Sequence, residues 1–179
     1  MGREREADFY IGDGVPKLPL HKMASQFLDD VLPDETIVEL GCGAGFLAEA
    51  LVGRKYIGID FSNAMLAKAG ERTKNMKFIL ADLRDTETFK IYKEYRVFIL
   101  IEVLEHIIAD CEIINSIPHG SLVVFSVPSF NSAGHVRCFK NEKEIKDRYS
   151  KWLDFEEVKI LPIPNYRRNK IFIFKARRR

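Results

Sequence analysis

The sequence is short of cysteine, of long apolar runs and of net charge, and each shortage removes a class of protein. Cys42, Cys111 and Cys138 are odd in number, widely spaced and without a Cys-x-x-Cys pair, which argues against a disulfide framework and a zinc knuckle. A reducing, cytoplasmic setting fits that usage. The longest apolar run, Val97 to Ile101, is closed by Glu102 and falls far short of the roughly 20 apolar residues a spanning helix needs. Met1 to Asp8 mixes both signs of charge and lacks an apolar core, so no export signal is expected. A net charge of +2 is too small to imply nucleic acid. Basic residues do gather late in the chain, at Arg167, Arg168, Lys170, Lys175, Arg177, Arg178 and Arg179. Two readings are open there: an anionic partner such as RNA, or a solvated last strand with a frayed tail.

What is present suits a globular chain. At 179 residues, with 46% hydrophobic and 30% charged, one core suffices, and a single domain over 1–179 is expected. Within it, 1–33 forms an N-terminal lid and helix, and 34–179 the sheet core. Apolar runs of strand length alternate with helix-compatible stretches, the pattern of a mainly parallel sheet covered on both faces. Helical spacing runs from Leu20 to Val31, closed by Pro33. Strands are expected at Thr36 to Leu40, Lys55 to Ile59, Met76 to Leu80, Tyr95 to Ile101, Ser121 to Val127, Phe155 to Leu161 and Lys170 to Lys175. Helices are expected from the glycine turn to Val52 and at Asn63 to Thr73, Glu87 to Tyr92, Val103 to Ile114 and Lys140 to Ser150. The α/β class follows: a Rossmann-like, doubly wound sheet of about seven strands, mostly parallel with an antiparallel last strand.

In such sheets ligands bind beyond the carboxyl ends of the strands, and Gly41-Cys42-Gly43-Ala44-Gly45 lies there after the first strand. Glycine lets the chain turn sharply and lets a ligand approach the backbone. The spacing lacks the last glycine of GxGxxG and is no GxxxxGK[ST] loop, so a dinucleotide and a nucleoside triphosphate are both disfavoured. Asp60, at the end of the second strand, can accept two ribose hydroxyls. Glu39 is a carboxylate in an apolar strand, costly unless paired, and a ligand ammonium would offset that cost. Asp82, after the third strand, can accept from an adenine amino group. These features describe a nucleoside cofactor without phosphate.

Val38-Glu39-Leu40-Gly41-Cys42-Gly43-Ala44-Gly45 resembles the first motif of class I S-adenosylmethionine-dependent methyltransferases. Tyr56-Ile57-Gly58-Ile59-Asp60-Phe61-Ser62 resembles their second and Ala81-Asp82-Leu83 their third. The resemblance implies a cofactor site of Glu39, Gly41, Cys42, Gly43, Gly45, Asp60, Phe61, Ser62, Met65, Asp82, Leu83 and Glu102. In it the glycine turn lines the methionine portion, Phe61 and Met65 flank the adenine, and Asp82 with Leu83 reads the adenine edge.

The fourth strand ends in Glu102-Val103-Leu104-Glu105-His106. If a helix starts there, Glu102, Glu105 and His106 share one face at i, i+3 and i+4. The segment resembles that of ubiquinone-biosynthesis O-methyltransferases and small-RNA 3′-end methyltransferases, which implies that Glu102, Glu105 and His106 hold a divalent cation such as Mg2+, with His135 completing the set. The alternative is that Glu105 and His106 orient the helix start. His106 and His135 are also the candidate general bases, because an imidazole titrates nearest neutrality. The expected activity is methyl transfer to oxygen, less readily nitrogen, of a small-molecule acceptor by a monomer or homodimer. RNA methylation, a cofactor-binding subunit without turnover and a dehydrogenase are the competing readings. Tyr10 and His21 are expected near cofactor or substrate, Tyr10 on a lid over residues 8–14.

Overall fold

A computed structural model of the chain describes residues 17–164, 166 and 168–179. The lid expected over residues 8–14, with Tyr10, lies outside them. Helix α1 (Lys17–Ser25), extended by a 3-10 turn (Gln26–Leu28), precedes β1 (Ile37–Leu40). There follow α2 (Phe46–Ala50), β2 (Tyr56–Asp60), α3 (Asn63–Arg72), β3 (Lys77–Leu80), α4 (Phe89–Tyr92) and β4 (Val97–Leu100). A 3-10 turn (Leu104–His106) leads to α5 (Asp110–Ser116), β5 (Leu122–Pro128), α6 (Glu142–Tyr149), β6 (Leu153–Pro162) and β7 (Lys170–Arg178).

The seven strands form one sheet in the order β3-β2-β1-β4-β5-β7-β6. Strands β1 to β5 pair in parallel, and β7 runs antiparallel to both β5 and β6. The order reverses between β1 and β4, so a crevice opens at the carboxyl ends of these two strands. All of the chemistry considered below sits at that end. A shallow depression lined by Glu35, Thr36, Glu94, Tyr95, Arg96 and Val97 lies at the opposite end, where β1 and β4 begin.

Period-two alternation assigns the strand residues to two cores. Val38, Leu40, Phe98, Leu100, Val123 and Phe125 face one, with Tyr92, Ile113, Ile114, Ile145 and Tyr149 from α4, α5 and α6. Ile37, Val97, Ile99, Leu122 and Val124 face the other, with Leu20 and Ala24 from α1 and Leu47 and Ala48 from α2. Side chains of this size contribute about 1.5–3 kcal/mol each on full burial, so double-sided burial holds the central strands in register.

Two elements differ from expectation. No helix runs from Val103 to Ile114. The backbone of Glu102 is left-handed (φ +55°), the 3-10 turn ends at His106, and α5 starts only at Asp110. The C-terminal arginines are likewise no frayed tail. Strand β7 continues to Arg178, which is 5% exposed and donates to the carbonyls of Ile114, Asn115, Trp152 and Arg179 and to Asn115 Oδ1. Arg178 thereby adds donors to carbonyls at the last turn of α5, where intrahelical partners run out. Lys175 pairs with Asp30, Arg177 with Glu156 and Arg179 with Asp154, so three cations of the cluster meet carboxylates within the fold.

Candidate active site

The turn after β1 is built by three left-handed glycines, Gly41 (φ +80°), Gly43 (φ +50°) and Gly45 (φ +75°). Two of them are also required by packing. A Cβ on Gly41 would lie 2.5 Å from Val103 Cγ2, and one on Gly45 would lie 2.9 Å from Ala69 Cβ on α3. Gly43 differs, because a Cβ there would meet nothing within 4 Å. Its bare backbone therefore borders open space, the approach a ligand requires.

Asp60 ties the turn to the end of β2. Its Oδ2 accepts from the Gly43 N–H (2.9 Å) and its Oδ1 from the Ser62 N–H (2.8 Å). Burial raises its carboxyl above the ordinary value, and the backbone N–H groups of Ser62, Gly43 and Phe61 pull it back. A carboxylate offers about four acceptor positions, so capacity remains for ligand hydroxyls. Ser62 caps α3, its Oγ accepting from Met65 N–H. Phe61 is half exposed beside it, while Met65 is buried.

Glu39 is 1% exposed and accepts a short hydrogen bond from the Tyr56 hydroxyl, so its partner within the fold is β2. Burial pushes its carboxyl up to about 8, Asp60 adding to the rise and the Tyr56 bond opposing it. Cys42 is buried, and burial first, then the neighbouring carboxylates of Glu39 and Asp60, push its thiol up, so it lines the turn as an inert side chain. Asp82 is gripped bidentately by Arg84 (2.9 and 2.5 Å), which holds its carboxyl below the ordinary value. Leu83 is buried in the core. Arg84 is thus a neighbour of the third motif that spacing alone did not single out. His21, on α1, is 8% exposed and packs its ring 5.8 Å from that of Phe46 at the start of α2.

A second group gathers beyond β4 and β5. The N–H of the left-handed Glu102 donates to Ser126 Oγ (2.8 Å), whose hydroxyl donates to Glu102 Oε1 (2.7 Å). Strained backbone of this kind persists where the surroundings over-determine it. The Glu102 carboxylate accordingly turns to β5, and the expected helical face of Glu102, Glu105 and His106 does not exist. Glu105, His106 and His135 converge instead, with one ligand atom from each within 4.8 Å of the others. Glu105 is fully buried, and the two imidazoles stand edge to face with centroids 4.8 Å apart.

Both imidazoles are oriented by main chain. His106 Nδ1 faces the Gly134 carbonyl (3.1 Å) and His135 Nδ1 faces that of Phe130 (3.3 Å). A ring nitrogen opposite a carbonyl carries a proton, so Nδ1 is the donor in both contacts. The Val136 N–H donates to the Glu105 carbonyl (2.8 Å), closing the post-β5 loop onto the turn. Gly134 is left-handed (φ +83°), and a Cβ there would lie 3.4 Å from His106 Nδ1. The sequence signal for this closure was the Gly134-His135 pair.

Residues 37–117 match the family described as a methyltransferase domain. No curated protein matches the chain in sequence. Among solved structures, the chain is similar to the N-methyltransferase NodS from Bradyrhizobium japonicum WM9, solved with S-adenosyl-L-homocysteine. The TM-score is 0.74 at 16% identity, over 98% of this chain and 95% of that one. Magnesium protoporphyrin IX methyltransferase from Synechocystis PCC 6803, solved with S-adenosylmethionine, gives 0.67 at 15% identity over 90% and 79%. A methyltransferase solved in complex with the Haloferax volcanii Trm112 methyltransferase activator gives 0.71 at 14% identity over 99% and 97%. At these identities the likeness is one of fold.

Proposed function

We propose that this S-adenosylmethionine-dependent methyltransferase transfers the donor methyl to an oxygen of a small-molecule acceptor, which Glu105, His106 and His135 bind and deprotonate. The observation that carries this reading is the convergence of two imidazoles, each with Nδ1 against a backbone carbonyl, on a buried carboxylate. The residues present fit the donor. Gly43 offers bare backbone, Asp60 has capacity for ribose hydroxyls, Phe61 and Met65 suit the adenine faces, and the buried acid Glu39 lies under a turn that would receive a cationic ligand. The acceptor oxygen attacks the methyl carbon as the carbon–sulfur bond breaks, the sulfonium leaves as a neutral thioether, and the acceptor's proton departs at the His106–His135 side. Because the sulfonium is already activated, alignment supplies most of the rate.

The donor set also suits a divalent ion, and Glu105, His106 and His135 would hold it. Such an ion would lower the pKa of an acceptor hydroxyl. The expected Mg2+ fits poorly, since magnesium prefers oxygen ligands in octahedral array, whereas two imidazoles favour a first-row transition ion. Glu102, bonded to Ser126, leaves the proposed ligand set. RNA stays the alternative acceptor, with Lys175, Arg177 and Arg179 of the basic cluster each meeting a carboxylate within the fold.

The test is a turnover screen over catechols, sugars, small amines and RNA, with the protein stripped by chelator and then supplied with Co2+, Zn2+ or Mg2+. Turnover of a hydroxyl acceptor, restored by a transition ion in preference to Mg2+, is expected. Full turnover in chelator would leave the imidazoles as bases without a metal, and turnover of amines or RNA alone would overturn the reading.

A further inference from the structure

The acceptor group is assembled from two chain segments with no secondary structure in common: the turn carrying Glu105 and His106, and the loop carrying His135. They are linked by the Val136 N–H to Glu105 carbonyl bond, by the His106 Nδ1 contact with the Gly134 carbonyl and by the edge-to-face contact of the two imidazoles. Arg137, the next residue along the loop, reaches across the same gap. Its Nη1 donates to the carbonyls of Leu104 and, at 2.6 Å, Ile107, and its Nη2 donates to that of Ile108 at 3.0 Å. The 3-10 turn spends its last carbonyls poorly on its own, since Ile107 N–H reaches Leu104 O only at 3.4 Å and Asp110 N–H reaches Ile107 O only at 3.3 Å. A guanidinium is the one side chain whose fixed fork can serve such a row of carbonyls.

The fork is itself held from behind. Arg137 Nη1 lies 3.3 Å from Asp110 Oδ2, and the Arg137 side chain is 14% exposed while that of Asp110 is fully buried. Arg148 on α6 grips Asp110 through Nε (2.7 Å) and Nη2 (2.6 Å), and the Tyr149 hydroxyl donates to it at 2.7 Å. Burial alone would raise the Asp110 carboxyl, but the Arg148 and Tyr149 bonds with the two arginine charges hold it below the ordinary value, as an anion. The chain of contacts therefore runs from the core helix α6 through Asp110 and Arg137 to the backbone of the acceptor turn.

We propose that Arg137 is the positioning residue of the acceptor site: it sets the register of the loop carrying His135 against the turn carrying Glu105 and His106. The inference deepens the function proposed above and rests on its reading of those three residues as the acceptor group. Arg137 touches neither donor nor acceptor. Its role is to keep the two imidazoles and the buried carboxylate converging, much as outer-shell partners orient the ligands of metal sites.

The test compares Arg137→Lys and Arg137→Met with wild type in the full chain, with labelled histidine. In wild type a nuclear Overhauser contact between the His106 and His135 rings and binding of Co2+ are both expected. In Arg137→Lys, which keeps the charge toward Asp110 but loses the fork, the ring contact should vanish and Co2+ affinity should fall about 10- to 100-fold. Binding of S-adenosylhomocysteine by calorimetry should be unchanged, because no residue of the glycine turn is touched. Retention of the ring contact in either variant overturns the proposal, as does loss of S-adenosylhomocysteine binding in step with it, which is the mark of general unfolding. If Arg137→Met does not fold, Arg137→Lys decides. Failure of the parent reading has a different signature: unchanged turnover in Glu105→Gln with the imidazole contact intact.

Discussion

The two halves of the crevice are made by opposite means. On the β1–β2 side a contiguous turn carries its own geometry, and Gly41, Gly43 and Gly45 adopt left-handed backbone that few other residues accept. On the β4–β5 side nothing is contiguous, and Glu105 and His106 meet His135 through bonds spanning the Leu104–Ile108 turn and the loop after β5. The first half is therefore robust to distant change and sensitive to its own residues. In the second half the turn and the loop are bridged by residues outside the Glu105, His106 and His135 group, such as Arg137, which Asp110 holds.

The largest separation of the two halves should come from Glu105→Gln. If the acid serves the acceptor side alone, kcat falls about 10²- to 10⁴-fold while the dissociation constant for S-adenosylhomocysteine is unchanged. Turnover kinetics and calorimetry on one preparation check it, and parallel loss of both would merge the two halves.

Asp60→Ala is the mirror image. Removing a carboxylate that takes the Gly43 and Ser62 N–H groups leaves two buried donors unmatched, and S-adenosylhomocysteine binding should weaken about 100-fold. The ring contact between His106 and His135 should persist in that variant. Its loss would show that the turn organises the acceptor side too.

Gly41→Ala probes the seam between them, since the new Cβ would press on Val103, the residue after strained Glu102. A destabilisation of about 1–3 kcal/mol from overpacking, with a further cost from the left-handed φ, is expected in denaturant unfolding.

Glu39→Gln sharpens the electrostatics of the glycine side. Its carboxyl rises from an ordinary 4.5 to about 8, so the folded chain holds a proton that the unfolded chain has released. The stability linked to this group is full below the ordinary value and is lost as pH rises towards 8. Glutamine can still accept from Tyr56 and never ionises, so stability measured between about pH 5 and 8 should fall less steeply in the variant than in wild type. An identical slope would mean that Glu39 is charged in the fold.

The smallest effect is expected outside both halves. Arg177→Ala breaks an exposed pair with Glu156 and should cost less than about 1 kcal/mol, with no change in either activity or donor binding.

Legibility followed the same division. The strand, turn and helix of the glycine motif read directly, because a left-handed turn needs glycine in place and an acidic strand end needs no distant partner to be seen. The strands read well because the alternation of Val97, Ile99 and Ile101 with Phe98 and Leu100 is local. The helix expected at Val103 failed for a reason that no periodicity contains: Ser126, far along the chain, receives the Glu102 N–H and returns its hydroxyl to the carboxylate, holding φ at +55°. Arg178 failed likewise, since the carbonyls it takes up, Ile114 and Asn115, belong to α5.

What the sequence by itself determined is therefore the sheet, the glycine turn and the class of donor, all set by local stereochemistry and by apolar spacing. Only the tertiary structure shows which side chains come together beyond β4 and β5. Glu102 lies four residues before His106 and Glu105 directly before it, but spacing alone does not say that Glu102 turns to the Ser126 hydroxyl while a loop returns His135 to the buried Glu105 and to His106. A short-range pattern encodes backbone shape, whereas the convergence of side chains from separate segments is encoded in the packing that brings those segments together.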